Sequence, residues 1–249
     1  MLLHHTTLGT GAPVLFLHGF LESSSMWELL KEKDLPFKAV LIDLPGHGAS
    51  DLGEAITPPS LDYFAQQVME LVDYLGLERY YVVGHSMGGY VALLLKELDC
   101  RCEKIVLLNS NFWQDHEQKK SDRIRVADLA FNAREHLIRE AIPGLFWKHS
   151  AADPIVRKLI SEALKMYAEN IAYASLAMMI REDKKNLLVK FPNDFLLING
   201  AHDPLMPVTL LKEKTSELNV RVEWLEESGH MAHFEQPEAL CKLFAEFLS

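Results

Sequence analysis

The sequence from residue 80 to residue 90 reads Tyr80-Tyr-Val-Val-Gly-His-Ser-Met-Gly-Gly-Tyr90 and decides the fold. Tyr80–Val83 is a short apolar run typical of a buried strand, and Tyr90–Leu98 has the pattern of a helix. Between them, Gly84-His85-Ser86-Met87-Gly88 matches the G-x-S-x-G motif, which belongs on a sharp turn from strand to helix. The glycines leave room for that turn, where larger side chains would clash. The stretch therefore predicts that Ser86 is a nucleophile presented at the end of a strand.

Outward from this turn, short apolar runs alternate with amphipathic helical patterns. The alternation is typical of βα units around a mostly parallel sheet, and continuous apolar runs are expected of strands covered on both faces. Helices are predicted over Leu61–Leu75, with Ser60 as the N-cap, and over Glu238–Leu248. The fold class is therefore α/β. The predicted strands are Val14–Leu17, Ala39–Leu44, Tyr80–Gly84, Lys104–Asn109, Phe195–Asn199 and Val220–Leu225.

The alternation stops in one long segment that shows helical patterning and no strand. Asp153-Pro154 is a good helix start there, with Asp as N-cap and Pro at the first helical position. Ser121 is expected to cap an earlier helix that runs towards Ala141 and ends at Pro143-Gly144. A long helical insertion between two core strands predicts a cap. The predicted domains are a core, residues 1–111 and 194–249, and a helical cap, residues 112–193.

Charge divides along the same boundary. Residues 112–193 carry 14 Lys and Arg against 11 Asp and Glu, whereas the remainder carries 11 against 24. One interpretation is that basic side chains simply solvate the helices of the cap. The alternative is that Arg123, Arg125 or Arg181 faces an anionic substrate.

A serine hydroxyl is a weak nucleophile at neutral pH and needs a general base that is oriented by an acid. After a G-x-S-x-G turn, the expected chain order is Ser, acid, His. Asp203 follows the predicted strand Phe195–Asn199, and His230 follows Val220–Leu225, so both lie where active-site loops gather. We therefore predict Ser86, Asp203 and His230 as the catalytic residues.

Alternatives exist for the acid and the base. Asp115 is the first carboxylate after the predicted strand Lys104–Asn109. His233 is close to His230 in the sequence, and His202 is adjacent to the predicted acid. Position directly after a core strand favours Asp203 and His230.

Acyl transfer also needs hydrogen-bond donors for the oxyanion of the transition state. The backbone N–H of Met87, directly after the predicted nucleophile, is one candidate, and the N–H of Phe20 in His18-Gly19-Phe20 is the other. The His18 side chain is expected to brace this loop rather than react. Tyr90 and Trp147 are predicted to line the substrate site, as aromatic side chains often do. The alternative for the large side chains of the cap is that they pack it onto the core.

Five ordered motifs resemble those of the α/β-hydrolase superfamily over nearly the whole chain. The resemblance implies an eight-stranded type of sheet that lacks a strand at the short N-terminus, with flanking helices and a helical cap inserted after the sixth strand. It also implies that Asp43 and His47 support the site without being catalytic. The motifs are His18-Gly19-Phe20, Asp43–Ser50, Gly84–Gly88, Asn199–Asp203, and Ser228-Gly229-His230 followed by Phe234–Glu238.

The resemblance is to serine-nucleophile members that act as carboxylesterases, and it implies cleavage of a small carboxylic ester through an acyl-enzyme on Ser86. Dehalogenases and epoxide hydrolases of the superfamily carry Asp at this position, so their alkyl-enzyme mechanism is excluded. The sequence is also similar to cyclohexadiene carboxylate synthases, lyases with the same triad, although that branch carries Arg where Tyr90 stands. C–C bond hydrolases, and receptor-like members that bind a ligand with little turnover, are further alternatives.

Composition limits the partners and the compartment. The 249 residues carry a net charge of −10, which argues against nucleic acid as a partner. The apolar runs are too short to span a bilayer, and the N-terminus lacks the pattern of a signal peptide. An odd number of cysteines, Cys100, Cys102 and Cys241, favours free thiols over disulfides. We therefore predict a cytoplasmic enzyme that acts on a small-molecule ester without cofactor, metal or membrane, and whose oligomeric state is open.

Overall fold

One β-sheet forms the centre of the protein. In a computed structural model, which describes residues 2–31, 33, 36–54, 57–148, 150 and 153–248, this sheet has seven strands. The strands are β1 (His5–Leu8), β2 (Ala12–Leu17), β3 (Phe37–Ile42), β4 (Tyr80–His85), β5 (Cys102–Leu108), β6 (Phe195–Gly200) and β7 (Arg221–Leu225). Their order is β1-β3-β2-β4-β5-β6-β7, with β1 antiparallel to β3 and every other neighbouring pair parallel.

Helices pack on both faces of this sheet. The described α-helices are α1 (Leu61–Tyr74), α2 (Met87–Leu98), α3 (Glu117–Asn132), α4 (Arg134–Ala141), α5 (Pro154–Ala163), α6 (Ala168–Met179), α7 (Lys185–Lys190), α8 (Val208–Thr215), α9 (Ala232–Glu235) and α10 (Pro237–Leu248). Because side chains alternate along a strand, Leu15 and Leu17 of β2 lie in the apolar core with α1 and α2. Val14 and Phe16 of the same strand lie in the core on the other face, with α10.

The predicted α/β class is confirmed, and all six predicted strands are present with shifted ends. The strand predicted over Ala39–Leu44 ends at Ile42, because the N–H of Leu44 donates to the ring of His18 instead of to a strand. Strand β1 was not predicted: it has four residues, lies at the sheet edge and is only partly buried, so its apolar pattern is weak. The predicted cap of α1 is confirmed, since the Ser60 hydroxyl accepts the N–H of Asp62 at 3.0 Å.

A helical segment, α3 to α7, lies between β5 and β6. It therefore follows the fifth of the seven strands of this sheet, and an insertion after the sixth strand of an eight-stranded sheet stays a prediction. The segment has an apolar cluster of its own, including Ile138, Val156 and Ile171, and this cluster also contains Leu21 and Met231 from the core. The division into a core and a cap at residues 112 and 193 stays a prediction.

One helix start inside this segment differs from the prediction. Helix α3 begins at Glu117, and the ring of His116 accepts the N–H of Lys119 as its N-cap. Ser121 is therefore not the cap; it lies within the helix, and its hydroxyl donates to the carbonyl of Glu117 at 3.1 Å. The predicted start at Asp153-Pro154 is confirmed, because the Asp153 carboxylate accepts the N–H of Ile155 at 2.9 Å.

Candidate active site

Ser86 lies on the sharp turn between β4 and α2. Its φ of 49° is in the left-handed region, which non-glycine residues rarely adopt and which marks stored backbone strain. It is the one residue between Tyr80 and Leu95 that is not buried. A Cβ atom on Gly88 would lie 2.5 Å from the carbonyl oxygen of Leu17, so glycine permits the close approach of this turn to β2. The backbone thus holds the Ser86 side chain at the surface of an otherwise buried stretch.

Asp203 and His230 are hydrogen-bonded to each other in the loops after β6 and β7. Oδ2 of Asp203 accepts from His230 Nδ1 at 2.8 Å and from Asn109 Nδ2 at 2.8 Å. Oδ1 accepts the backbone N–H groups of Leu205 and Met206. Burial opposes ionisation of this carboxyl, but His230 and these hydrogen bonds outweigh it and lower the pKa of Asp203 below its ordinary value. Asp203 is therefore a charged acceptor that orients the imidazole of His230.

The alternative acid and bases lie elsewhere. Asp115 is paired with two arginines, not with a histidine. His233 is buried with the rings of His85 and Phe234 around it, and burial lowers its pKa well below the ordinary value, so it is neutral. His202 is exposed and stacks on Trp147. Within the described part of the chain, no side chain of these three alternatives makes a hydrogen bond to Asp203 or His230.

Of the two predicted oxyanion donors, Met87 directly follows Ser86 and Phe20 lies in the loop after β2. Met87 is the first residue of α2, so its N–H has no partner within the helix. The N–H of Phe20 makes no hydrogen bond within the described part of the chain. The loop that carries it is braced as expected: His18 Nδ1 donates to the carbonyl of Gly19 at 2.8 Å, and Nε2 accepts the N–H of Leu44 at 2.9 Å. Burial lowers the pKa of His18, consistent with this neutral form.

Asp43 and His47 have the supporting roles that the resemblance implies. The Asp43 carboxylate accepts the backbone N–H groups of Ser24 and Ala49, at 2.7 and 2.9 Å. His47 Nδ1 donates to the carbonyl of Pro45 at 2.9 Å. These bonds fix the loop after β3.

A buried ion pair next to the Ser86 turn was not predicted from the sequence. His85 Nδ1 bonds Oε2 of Glu22 at 2.9 Å, and Nε2 bonds the backbone carbonyl of His230, also at 2.9 Å. Both partners only accept, so both ring nitrogens donate and His85 is an imidazolium. Burial opposes this charge, but Glu22 outweighs it and raises the pKa of His85. The pair holds the backbone of His230 next to the Ser86 turn.

The Glu22–His85 pair predicts acid sensitivity. Burial disfavours the Glu22 carboxylate, but His85 overrides this effect and lowers the pKa of Glu22 from 4.5 to about 2. The ion pair therefore stabilises the fold above about pH 4.5, and its contribution is lost as the pH falls towards 2. Glu22→Gln is expected to lower the free energy of unfolding by about 3 kcal/mol at pH 6 and by progressively less below pH 4.5, as measured by urea unfolding.

The control for this experiment is Glu226→Gln, which changes an exposed carboxylate in the same chain. It is expected to change the free energy of unfolding by less than about 0.5 kcal/mol at either pH. A difference between wild type and Glu22→Gln that stays constant from pH 6 to pH 3 would contradict the proposed coupling.

A cavity of about 550 Å³ opens over Ser86 and His230, within the usual size range for small-molecule sites. Phe20 and Tyr90 line it. The Met87 side chain is buried in the apolar core, so only the backbone N–H of Met87 is a candidate to contact a substrate. Aliphatic side chains from the loop after β2, the helical segment and the loop after β7 supply much of the remaining wall: Leu21, Val126, Leu137, Ile142, Leu145, Leu159 and Met231.

Trp147 does not have its predicted place in the cavity wall. Its indole stacks on the imidazole of His202, with ring centroids 4.0 Å apart and planes 2° from parallel. The ammonium of Lys148 lies 3.7 Å above the same ring. Trp147 therefore packs on these neighbours and is not among the residues that line the cavity, and its contact with substrate stays a prediction.

The helical segment is bonded directly to the loop that carries His230. The N–H of His230 donates to the carbonyl of Leu145 at 2.8 Å. One carboxylate joins the two sides a second time, because Glu235 accepts the N–H groups of Gly229 and of Trp147, each at 2.7 Å. The segment therefore takes part in positioning the imidazole.

A sequence model of the alpha/beta hydrolase family matches residues 14–243. The chain therefore belongs to the alpha/beta hydrolase family. A solved structure of a thermophilic esterase from Thermogutta terrifontis with malate bound is similar, with a TM-score of 0.88 and 26% identity over 99% of this chain and 92% of that one. Family membership and this esterase-like similarity together support hydrolase activity.

Two curated relatives show the range of chemistry around this fold. The chain is 28% identical to the dihydrolipoyllysine-residue acetyltransferase component of the acetoin cleaving system of Pseudomonas putida, over 96% of this chain but 64% of that protein. It is 34% identical to 2-succinyl-6-hydroxy-2,4-cyclohexadiene-1-carboxylate synthase of Serratia proteamaculans, over 32% of this chain and 30% of that protein.

The described residues form neither a membrane-spanning helix nor a cluster of metal ligands. Within the described ranges, no helix combines the length and the apolar character needed to cross a bilayer. Among the same residues, no group of three or more His, Cys, Asp or Glu side chains is placed to hold a metal ion. Cys100, Cys102 and Cys241 are free thiols.

Proposed function

We propose that the protein is a serine hydrolase that cleaves small carboxylic esters through an acyl-enzyme on Ser86. The observation that carries the proposal is the 2.8 Å hydrogen bond from His230 to Asp203, together with a cavity whose wall contains both His230 and Ser86. A nucleophile and a base in one cavity, with a buried acid that orients the base, are the minimum set for acyl transfer. The similarity to the thermophilic esterase supports the ester as the substrate class.

In the proposed first step, the Ser86 hydroxyl attacks the ester carbonyl while His230 Nε2 takes its proton. Nδ1 of the ring donates to Asp203, which fixes the tautomer with Nε2 as the base and stabilises the imidazolium that forms. His230 then gives the proton to the departing alcohol. Water, activated by the same imidazole, releases the acid and restores Ser86.

The negative charge that develops on the carbonyl oxygen is assigned to the N–H groups of Met87 and Phe20. Met87 begins α2, so the positive end of the helix also lies at this point. Donors held in place before the reaction stabilise the transition state without reorganisation. The residues supply nucleophile, base and electrostatic stabilisation themselves, and the proposal includes no cofactor or metal.

A second candidate, the lyase reaction of the cyclohexadiene carboxylate synthases, is favoured by one observation. That branch carries an arginine at the position of Tyr90. Here the guanidinium of Arg181 lies 4.1 Å from the centre of the Tyr90 ring, so a positive charge is near this position although it comes from a distant part of the sequence. The partial match to such a synthase agrees with this candidate.

The test is hydrolysis of a 4-nitrophenyl ester series from acetyl to long acyl chains. Turnover with an optimum in chain length is expected, because the cavity is finite and its wall is largely aliphatic. No turnover across the series by folded protein would contradict the esterase proposal and favour the lyase candidate.

A further inference from the structure

The cavity over Ser86 also holds a cluster of charged side chains that the proposed hydrolysis does not use. Asp115 binds two arginines: Oδ1 accepts from Arg181 at 2.7 Å and Oδ2 from Arg123 at 3.1 Å. All three side chains are largely buried, with 4%, 7% and 15% exposure for Asp115, Arg181 and Arg123. All three line the cavity.

Arg181 and Arg123 are held differently. Arg181 also donates to the carbonyl oxygens of Trp113 and Met178, so its guanidinium is fixed by backbone as well as by Asp115. Arg123 binds Asp115 through Nε. Its two terminal nitrogens make no hydrogen bond within the described residues. The side of the guanidinium that can bind a planar carboxylate is therefore available to a ligand.

Lys119 adds a third cation to the same wall. Lys119, Arg123 and Val126 lie on one face of α3, at spacings of four and three residues, and all line the cavity. The ammonium of Lys119 makes no ion pair within the described part of the chain. Burial, together with the nearby Arg123, lowers the pKa of Lys119 below its ordinary value, as expected of a cation without a close counter-charge.

The charges of this wall do not balance. Three cations face one carboxylate, Asp115. The other acidic residue that lines the cavity, Glu22, is already paired with His85. Partly buried cations without counter-ions are unfavourable, so the cluster is incomplete without an anion. Arg125 takes no part, since it pairs with Asp122 and is largely exposed.

We propose that Lys119 and Arg123 bind a free carboxylate of the substrate, so that the preferred esters are those that carry a second, unesterified carboxyl group. The proposal rests on the proposed ester hydrolysis for its choice of substrate. Asp115 is a positioning residue here: by binding Nε of Arg123, it turns the terminal nitrogens towards a ligand. An ammonium and a guanidinium together supply the charge-assisted donors that a carboxylate needs.

The test compares two esters that differ only by one methyl group and one charge, mono-4-nitrophenyl glutarate and its neutral methyl ester, in wild type and in Lys119→Met. Wild type is expected to prefer the anionic ester in kcat/KM by about tenfold or more, the scale of one charge-assisted hydrogen bond. Lys119→Met is expected to lose most of that preference through a higher KM. Lys119→Arg is expected to restore part of it. 4-Carboxyphenyl butyrate, compared with its methyl ester, examines a carboxylate on the alcohol side.

Lys120→Met is the matched control, because Lys120 is the next residue of α3, pairs with Glu117 and does not line the cavity. It is expected to leave the preference unchanged. A Lys119-dependent preference for either carboxylated ester supports the proposal. Equal or better turnover of the neutral partners in both pairs would overturn it.

Binding of glutarate itself separates this proposal from the hydrolase proposal. Glutarate is expected to raise the Tm of wild type and to raise that of Lys119→Met less. If no ester is hydrolysed but this shift is seen, the anion site stands and the proposed hydrolysis fails. If neutral esters are hydrolysed and glutarate has no effect on Tm, the hydrolysis stands and the anion site is wrong.

Discussion

Replacement of Ser86 by alanine is expected to lower kcat for 4-nitrophenyl butyrate by about five orders of magnitude, because nucleophile and base act as a unit. The fold is expected to survive. The Ser86 side chain does not cap α2, and the turn is held by backbone groups: the N–H of Ser86 donates to Leu108, and its carbonyl accepts from Ser110 and from Gly89. The free energy of unfolding should therefore change by less than about 1 kcal/mol.

The comparison that isolates the nucleophile is Ser110→Ala. In wild type, the Ser110 hydroxyl donates to the carbonyl of Ser86 at 2.7 Å and has no proposed part in the reaction. The Ser110→Ala variant loses this hydrogen bond and keeps the Ser86 hydroxyl. We expect it to reduce kcat by less than about a hundredfold, the scale of a misplaced turn rather than a missing nucleophile. Burst-phase and steady-state kinetics with the same ester provide the measurement. Comparable turnover by wild type and Ser86→Ala would reject Ser86 as the nucleophile.

Asp203→Asn is expected to lower kcat by about four orders of magnitude. The amide no longer holds His230 in the tautomer that leaves Nε2 free as the base, and it loses the charge that stabilises the imidazolium. Asp203 also accepts from Asn109 and from the N–H groups of Leu205 and Met206. An amide nitrogen in this ring of donors is unsatisfied, so a lower Tm is expected as well.

Asp115→Asn discriminates between the two acids. It leaves the Asp203–His230 bond untouched but removes the charge between Arg123 and Arg181. We expect a loss of stability of about 3 kcal/mol, as for other broken buried ion pairs, together with far more residual kcat on 4-nitrophenyl butyrate than Asp203→Asn retains. The assignment of the acid would be reversed if Asp115→Asn were the variant with the greater loss of kcat.

The parts of the fold that were predictable from sequence are those fixed by local patterns. The apolar run before Ser86 and the helical run after it specify a strand, a turn and a helix from adjacent residues alone. Asp203 and His230 were predicted from their positions after strands, because the carboxyl ends of parallel strands share one edge. Their 2.8 Å contact joins residues that are 27 positions apart.

The parts that were missed depend on contacts between distant segments. Glu22 and His85 are 63 residues apart, and Asn109 reaches Asp203 across 94 residues, with no local pattern to mark either pair. Trp147 has the side chain expected of a pocket wall, and only its stack on His202 shows that it packs elsewhere. The type of a side chain indicates whether it could line a binding site, whereas the tertiary structure determines which residues that side chain contacts.

The hydrogen bonds of Glu235 and of the Leu145 carbonyl, which join the helical segment to the loop of His230, limit how this protein can be engineered. Chimeras that exchange the helical segment between relatives are a natural route to altered specificity, and they treat that segment as an interchangeable part. Here the exchanged piece would carry away the carbonyl that holds the N–H of His230, and would leave Glu235 without the N–H of Trp147. A transplant therefore has to include residue 235 and the backbone conformation at 145–147, or the recipient receives a new pocket in which the ring of His230 is misaligned.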